Sequence, residues 1–312
     1  MRTKHLLSAV ALAATTVFAP AHAGVLGMGD LAITSLLLMN VDAGTPVVSG
    51  LTVTSDSRTG TAASDYNGVV GTGAGAGSIT LGGGATVDVK YRCAGPDCGS
   101  ISGLYGGTVE NNTSAHVTPA ATKNYALGDM VIAGSALGIS GAQGLTRANA
   151  SATGPSNLGG SSAAIQNNAR VVTTFTAGTS FNASFAMGVD AYVSAFVDAA
   201  STGASTFASG GIGFNLTVFE QLSGGGQALV LSWIPSEINT GLFATTASES
   251  ATYSFGGNLM SPTALISAGK TYTLVINQTS LSTVSELPEP ASLALVGVAL
   301  LGMAGAARRR KA

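Results

Sequence analysis

The sequence predicts a mainly β protein, an antiparallel β-sandwich with Gly-rich loops that is followed by a C-terminal transmembrane helix. The first observation is an alternation of apolar and polar side chains with a period of two, as in Lys270 to Thr279. The second is the presence of Gly, Ser, Asn or Pro clusters between most of these segments, which is typical of turns. The third is an uncharged apolar stretch at residues 291–307.

The composition is apolar but poor in charge. Of 312 residues, 46% are hydrophobic, 9% are charged and 43 are Gly, which is too apolar for a wholly disordered chain. Six of the 13 Lys and Arg lie in the two terminal segments, so seven basic residues remain in the body against 15 acidic ones, a net charge of -8. This argues against binding to nucleic acid or anionic lipid, because both need a basic surface.

Residues 1–23 have the three parts of a secretory signal peptide. A basic start is followed by an apolar stretch at residues 6–18 and by the small residues Ala21 and Ala23 of a cleavage site. The apolar stretch is shorter than the roughly 20 residues that a membrane span needs. We therefore predict that signal peptidase cleaves before Gly24 and that the protein is exported.

Residues 24–160 are predicted to form an N-terminal region that is rich in strands and loops. Leu51 to Thr54 and Thr86 to Tyr91 show the alternation of strands. Gly68 to Gly84 contains repeated Gly-x-Gly and predicts a loop, and Thr146 to Gly160 has the composition of a polar linker.

The Gly-rich run within the first of these segments, Gly71 to Gly77, invites comparison with a phosphate-binding loop. No strand-loop-helix context surrounds it, and Gly-Lys-Ser/Thr does not occur in the sequence. We therefore interpret the run as a flexible loop.

Residues 161–285 are predicted to form a C-terminal β-sandwich region. Strand patterns occur at Thr173 to Phe185, Ala191 to Val197, Ile212 to Glu220, Ala228 to Trp233, Ala251 to Phe255 and Lys270 to Thr279. Ala163 to Ala169 is the candidate for a short helix. The pairing should be antiparallel, since a parallel sheet would need amphipathic crossover helices. A single large sandwich over both regions is the alternative.

The two cysteines of the sequence, Cys93 and Cys98, are separated by Ala-Gly-Pro-Asp. In an exported protein this spacing predicts a local disulfide across a turn. A metal site would need more soft ligands nearby, and the sequence offers none. We predict no metal and no cofactor.

The sequence contains no recognisable catalytic machinery, so we predict that the protein is not an enzyme. His116 is the one histidine of the body, and no Gly-x-Ser-x-Gly pattern supplies a nucleophile for it. The carboxylates that were considered as calcium ligands are dispersed and lack the spacing of a calcium loop: Asp88, Asp97, Asp129, Asp190 and Asp198. Weak calcium binding between loops is the alternative for these residues.

Residues 286–312 contain three features in a fixed order. Pro288 and Pro290 fix two φ angles, so the stretch around Glu289 should be stiff and extended. Residues 291–307 would form a helix of roughly 26 Å, close to the ~30 Å of a hydrocarbon core. The chain then has a basic cluster, Arg308, Arg309, Arg310 and Lys311. Such a cluster stays in the cytoplasm and places the body outside, as a chain that spans the membrane once and transiently.

This arrangement resembles the PEP-CTERM sorting signal of Gram-negative, exopolysaccharide-producing bacteria. The resemblance is confined to the C-terminal segment, together with the signal peptide, and Leu287 stands where the family often has Val. It implies that an exosortase, a membrane-embedded cysteine protease or transpeptidase, removes the helix and tail. Signal peptidase and an exosortase are therefore the expected partners, and the cell surface or extracellular matrix is the expected destination.

We expect a non-enzymatic structural protein of the cell surface or of a biofilm matrix that contains extracellular polysaccharide. A second hypothesis is a secreted carbohydrate-binding or adhesin module, in which exposed aromatic side chains such as Tyr105, Tyr192 or Trp233 stack on sugars. A third is a hydrolase that uses His116.

Overall fold

The computed structural model describes residues 24–47, 49–78, 86–101, 123–153, 161–198, 206–246, 248–286 and 299–300. Strands dominate, and every strand pair is antiparallel, which confirms the predicted fold class. The strands are β1 (Gly24–Asn40), β2 (Thr45–Pro46), β3 (Leu51–Tyr66), β4 (Val69–Ser78), β5 (Val87–Ala94), β6 (Tyr125–Gly134), β7 (Ala142–Thr153), β8 (Ser161–Ala177), β9 (Phe181–Val197), β10 (Phe207–Gln221), β11 (Gln227–Trp233), β12 (Thr240–Ala244), β13 (Ser250–Met260), β14 (Ala264–Ile266) and β15 (Thr271–Glu286). Between the strands, the described residues include two short helical elements, α1 (Cys98–Ile101) and a 3-10 turn (Ser236–Ile238).

The strands form two sheets that pack face to face. Sheet one has the order β13-β9-β1-β7-β6-β5, with β14 paired to β9 and β2 paired to β1. Sheet two has the order β11-β10-β15-β8-β3-β4, with β12 paired to β10. The alternation of buried and less buried residues along β15 follows from this packing, since every second side chain faces the other sheet.

Each sheet combines strands from both regions that the sequence predicts. In sheet one β1 pairs with β9, and in sheet two β3 pairs with β8. The described part of residues 24–286 therefore has the architecture of a single large sandwich, the alternative that the sequence left open. Long-range pairing decides which strands share a sheet, and local composition does not report it.

Two segments that were predicted to be loop and linker contain strands. Within Gly68 to Gly84, residues 69–78 form β4, which pairs with β3. Within Thr146 to Gly160, residues up to Thr153 belong to β7, which pairs with β1 and β6. Small residues hide the alternation there, because an Ala that faces the core is scarcely more apolar than its neighbours.

The predicted short helix at Ala163 to Ala169 is also wrong, since these residues lie in the first half of β8. Ala has the highest intrinsic helix propensity, but this segment is held between β3 and β15, with Ala163 and Ala169 buried against the other sheet. Tertiary pairing overrides the local preference. A further difference concerns Thr173 to Phe185, which is two strands, β8 and β9, that belong to different sheets.

The interior differs between the two ends of the sandwich. At one end, here called the aromatic end, Phe175 stacks on Tyr272 with ring centroids 5.5 Å apart, and Phe214 meets Trp233 edge to face at 5.8 Å. The other end, here called the alanine end, is lined by Val25, Ala126, Ala148, Ala150, Ala152, Ala163, Ala195, Val197, Ala208, Ala244 and Val284.

The backbones of the two sheets are in direct contact at the alanine end. A Cβ atom on Gly27 of β1 would overlap the carbonyl oxygen of Ser209, and one on Gly210 of β10 would overlap the carbonyl oxygen of Met28. Only glycine allows two backbones to lie in direct contact in this way. The end is therefore thin, and short side chains fill it.

A belt of buried polar side chains separates the two ends. The Nε2 of Gln278 donates to the carbonyl oxygen of Leu31 at 2.7 Å and to the Oγ1 of Thr146 at 3.1 Å. The Oγ of Ser280 donates to the carbonyl oxygen of Thr146 at 2.9 Å. These bonds join β15 of sheet two to β1 and β7 of sheet one, and so fix how the sheets lie on each other.

Candidate functional site

The predicted export and sorting positions come together at the alanine end. Gly24, the residue after the predicted signal cleavage, is the first residue of β1, and its carbonyl oxygen accepts a bond from the N–H of Asp198 at 2.9 Å. Glu286 is the last residue of β15 and pairs with Ser161. Close to the start of β1 and the end of β15, Gly27 of sheet one lies against Ser282 of sheet two. The start of β1 and the end of β15 are therefore neighbours.

The end of β15 is held firmly in the middle of sheet two. β8 pairs with β15 up to Glu286, and β10 pairs with it up to Ser285. A strand that is bonded on both sides frays less than one at an edge. In the sequence, Pro288 stands two positions after Glu286, the last residue of this strand.

The carboxyl group of Glu286 lies inside the sandwich. The residue is 3% exposed, and Oε2 has no hydrogen-bond partner among the described residues. Burial, and to a smaller extent the negative charge of Asp198, raises the pKa of Glu286 to about 7. Near neutral pH a large fraction of this group is therefore protonated, and the last strand residue before the proline stretch is often uncharged.

A turn before β13 supports the neighbouring strand ends. The Oε2 of Glu249 accepts bonds from the N–H of Thr245 at 2.7 Å, the N–H of Thr246 at 3.0 Å and the hydroxyl of Thr246 at 2.9 Å. These bonds, the one from Thr245 first, hold the pKa of Glu249 below its usual value. The carbonyl oxygen of Glu249 also accepts the N–H of Val197 at 2.9 Å, so the turn is tied to the end of β9.

Asn124 connects the end of β7 to the cysteine turn. Its amide nitrogen donates to the Oγ1 of Thr153 at 2.7 Å, and its Oδ1 accepts the N–H of Thr153 at 2.9 Å. Its own N–H donates to the Oδ2 of Asp97 at 2.8 Å, and the hydroxyl of Tyr66 donates to its Oδ1 at 3.0 Å. One side chain thus joins elements of both sheets at the alanine end.

The predicted disulfide between Cys93 and Cys98 is present, with Cα atoms 5.8 Å apart. The turn that it closes passes through Gly95, whose φ of 124° is unfavourable for any residue with a side chain. A Cβ there would also meet the backbone of Asn124 and Tyr125. The disulfide holds the turn between β5 and α1, next to the network around Asn124.

Charged residues that lie far apart in the sequence form a row on the outer face of sheet one, which is the face that points away from sheet two. In the strand register, Arg147 of β7 lies opposite Asp30 of β1 and Asp129 of β6. Its Nε also forms an ion pair with the Oδ2 of Asp30, at 3.4 Å. Burial raises the pKa of Asp129 to about 6, although Arg147 opposes this; Asp88 and Asp30 also raise it. Within the described residues, no group of three His, Cys, Asp or Glu could hold a metal ion.

This row is not evident from the sequence. Asp30 and Arg147 each stand as one charge within a strand of apolar and small residues, and that is the signal that could have revealed them. Nothing along the chain shows that the two strands are adjacent. The same holds for Glu286 and Asp198, which are brought together by β15 and β9.

Two of the aromatic residues proposed as sugar platforms, Trp233 and Tyr192, lie in the described part of the chain. Trp233 is 7% exposed and packs in the core against Phe214, so it is not available to stack on a sugar. Tyr192 is half-buried. Phe243 on β12 is the more exposed aromatic side chain, at 70%.

Several predicted site residues lie outside the described residues. These are Ala21, Ala23, Tyr105, His116, Pro288, Glu289, Pro290, Arg308, Arg309, Arg310 and Lys311. Of the predicted helix at 291–307, the structure describes Ala299 and Leu300, which are helical and exposed. Across the described part of the chain, no helix has the length and apolar character needed to cross a membrane. The span at 291–307 stays a prediction.

Comparison with known proteins identifies the C-terminal segment. The family model described as the PEP-CTERM protein-sorting motif matches residues 286–311. The match begins at Glu286, the last residue of β15. No match was found among curated proteins or among solved structures. The suspected sorting motif is confirmed, and it indicates an exported protein that an exosortase processes.

Proposed function

We propose that the protein is a non-enzymatic structural component of the cell surface or extracellular matrix. In this proposal signal peptidase removes residues 1–23, residues 291–307 anchor the precursor in the membrane, and an exosortase then releases the body. The observation that carries the proposal is that the sorting motif starts at the last residue of β15, beside the start of β1. Both processing steps then act at one end of a preformed body.

This arrangement has a mechanical consequence for the precursor. A transmembrane helix that follows the proline stretch would hold the alanine end close to the membrane, because the end of β15 is paired with β8 up to Glu286 and with β10 up to Ser285. A membrane-embedded protease meets the proline stretch at that same level. The stiff backbone around Pro288 and Pro290 would keep the stretch extended for the protease groove.

The outer face of sheet two suits a passive structural role. Exposed hydroxyl side chains follow β3, at Ser55, Ser57, Thr59 and Thr61. Towards the centre of the sheet, the amide of Asn277 donates to the Oδ1 of Asn215 at 2.8 Å. The exposed Arg170 of β8 lies between Thr59 and Asn277 on this face, and the hydroxyl and amide groups around it can form hydrogen bonds with polysaccharide and water.

Intact-mass analysis of the protein from culture medium tests the processing steps. We expect a chain that begins at Gly24 and lacks residues 291–312, and we expect no such product from cells without the exosortase. A Glu289→Gln variant should remain in the membrane fraction. The control Glu237→Gln changes a carboxylate on the 3-10 turn and should be released normally. Release of the Glu289→Gln variant at the same rate, or a released chain with residues 291–312 still attached, would contradict the proposal.

The second candidate function is carbohydrate binding, which the exposed Phe243 favours. Its ring is 70% exposed on the outer face of sheet two, where it pairs with Ser209. Retention on matrix polysaccharide should fall in Phe243→Ser and stay unchanged in Leu229→Ser, which alters an equally accessible apolar residue. If both variants are retained as well as the unmodified protein, Phe243 is not a sugar platform.

A further inference from the structure

The two sheets have four outer edges, and an edge strand carries unpaired backbone N–H and C=O groups. In sheet one the edges are β5 and the pair β13 and β14, and in sheet two they are β4 and the pair β11 and β12. Natural edges are usually protected by charge, by proline, by bulges, by shortness or by a covering segment. These four edges differ in that respect.

Three of the edges carry such a protection. β5 contains Asp88, Lys90 and Arg92 and has a register shift against β6. The edge formed by β11 and β12 is divided into two short strands by Pro235 and the 3-10 turn. The edge formed by β13 and β14, which both pair with β9, is divided into two strands at Pro262.

Within the described part of the chain, β4 carries none of these protections. It pairs with β3 without a register shift, from Tyr66 and Val69 to Ser57 and Ser78. Among the described residues, no strand pairs with its other side. The sequence has no charged residue and no proline from Tyr66 to Val87. At the start of the strand, Val69 and Val70 are 67% and 59% exposed.

We propose that β4 pairs in an antiparallel manner with β4 of a second copy of this chain. The two copies of sheet two would then form one continuous sheet across a two-fold axis. A row of unpaired backbone donors and acceptors is complementary to another strand, and the same strand on a second copy has the same length and no repelling charge. The proposal goes beyond the exosortase step and does not depend on it.

The register of β4 is compatible with a continuous sheet. Thr72, Ala74 and Ala76 pair with Ala63, Thr61 and Thr59, which are exposed residues of β3. A two-fold axis perpendicular to the sheet keeps this exposed face on the same side in both copies. The small residues of β4 place no bulky group at the junction.

Sedimentation velocity on the protein recovered from culture medium tests the pairing. We expect a concentration-dependent dimer for the unmodified protein. The variant with Ala74→Lys and Ala76→Lys should weaken dimerisation by at least about tenfold, because lysine on an edge strand opposes pairing. The matched control has Thr59→Lys and Thr61→Lys, which adds the same charge in the same rows on the adjacent inner strand, and it should keep most of the dimer.

A circular dichroism spectrum and an unfolding midpoint close to those of the unmodified protein will show that both variants fold. A monomer at every concentration, or equal weakening by the two double variants, overturns the proposal. As a second readout, single cysteines at Thr72, Ala74 and Ala76 should include one that forms an intermolecular disulfide, whereas Thr61→Cys should not. Absence of a cross-link in all three also overturns it.

The result of the dimerisation experiment can be distinguished from the result of the processing experiment. Should the chain stay unprocessed, the proposed function fails, and the same comparison can be made with the full chain in detergent. A processed protein that remains monomeric contradicts the β4 pairing alone.

Discussion

The aromatic end and the alanine end of the sandwich solve the same packing problem in different ways. Large rings fill the first, with Phe175 on Tyr272 and Phe214 on Trp233. Close backbone contact at Gly27 and alanine methyl groups fill the second. The aromatic end should therefore be sensitive to the removal of atoms and the alanine end to their addition. The export and sorting positions lie at the end that is built from small residues.

The largest effect is expected for Phe214→Ala at the aromatic end. Phe214 is 1% exposed, and its removal leaves a cavity beside Trp233, which should cost about 3–5 kcal/mol of unfolding free energy. Ala150→Gly at the alanine end is the comparison and should cost about 1 kcal/mol, since one methyl group is lost and backbone freedom increases. Urea unfolding followed by circular dichroism measures both. Equal losses would show that the two ends do not differ as described.

The second-largest loss of unfolding free energy is expected for Gly27→Ala. The added methyl group overlaps the carbonyl oxygen of Ser209, so the sheets must separate, at a cost of about 2–3 kcal/mol. The control is Gly256→Ala on β13, where a Cβ has no neighbour within 4 Å, and its effect should be within about 0.5 kcal/mol of zero. A neutral Gly27→Ala would show that the backbones are not in contact at this end.

The smallest effect is expected for Glu286→Gln, and it should depend on pH. The folded pKa, about 7, lies above the ordinary value of 4.5, so the folded protein binds the proton more tightly. Stability is then highest below pH 4.5 and falls as pH rises through the folded pKa. Glutamine does not ionise, so this loss is absent in the variant. Its free energy of unfolding should exceed that of the unmodified protein by about 1 kcal/mol above pH 7 and should differ little at acidic pH.

Glu249→Gln sharpens this pH comparison, because the pKa of Glu249 is lowered by its bonds to Thr245 and Thr246. Its contribution to stability is present above the ordinary pKa and is lost as pH falls through the lowered value. The two variants should therefore shift the pH profile of unfolding in opposite directions. Shifts of the same sign would contradict the environment described for Glu286.

The sequence was informative where one residue type has one strong physical preference. Alternating β-branched and polar residues correctly predicted β15 and β10, and the spacing of Cys93 and Cys98 correctly predicted a disulfide. Prediction of strands from the sequence failed where small residues dominate. β7 and the start of β8 were not recognised as strands, because Ala and Ser have no strong preference for either face of a sheet.

The candidate site was predictable only in part. The sorting motif could be identified from its proline pair, apolar stretch and basic cluster, and the family match confirms it. The environment of Glu286 could not be predicted, because the charge of Asp198 that acts on it lies at the end of β9, which is far from it in the sequence. Trp233 shows the same limit, since its burial depends on Phe214 of the adjacent strand.

By itself, the sequence determined that the chain is mainly β, that it carries a cysteine turn and that its C-terminal segment is a sorting motif. These properties depend on residue type and short spacing, which are local. The tertiary structure alone decided that the start of β1 and the end of β15 lie together, and that β4 forms an open edge. The reason is that a strand pattern specifies which face is buried, whereas the partner of each strand is chosen by the whole set of pairings.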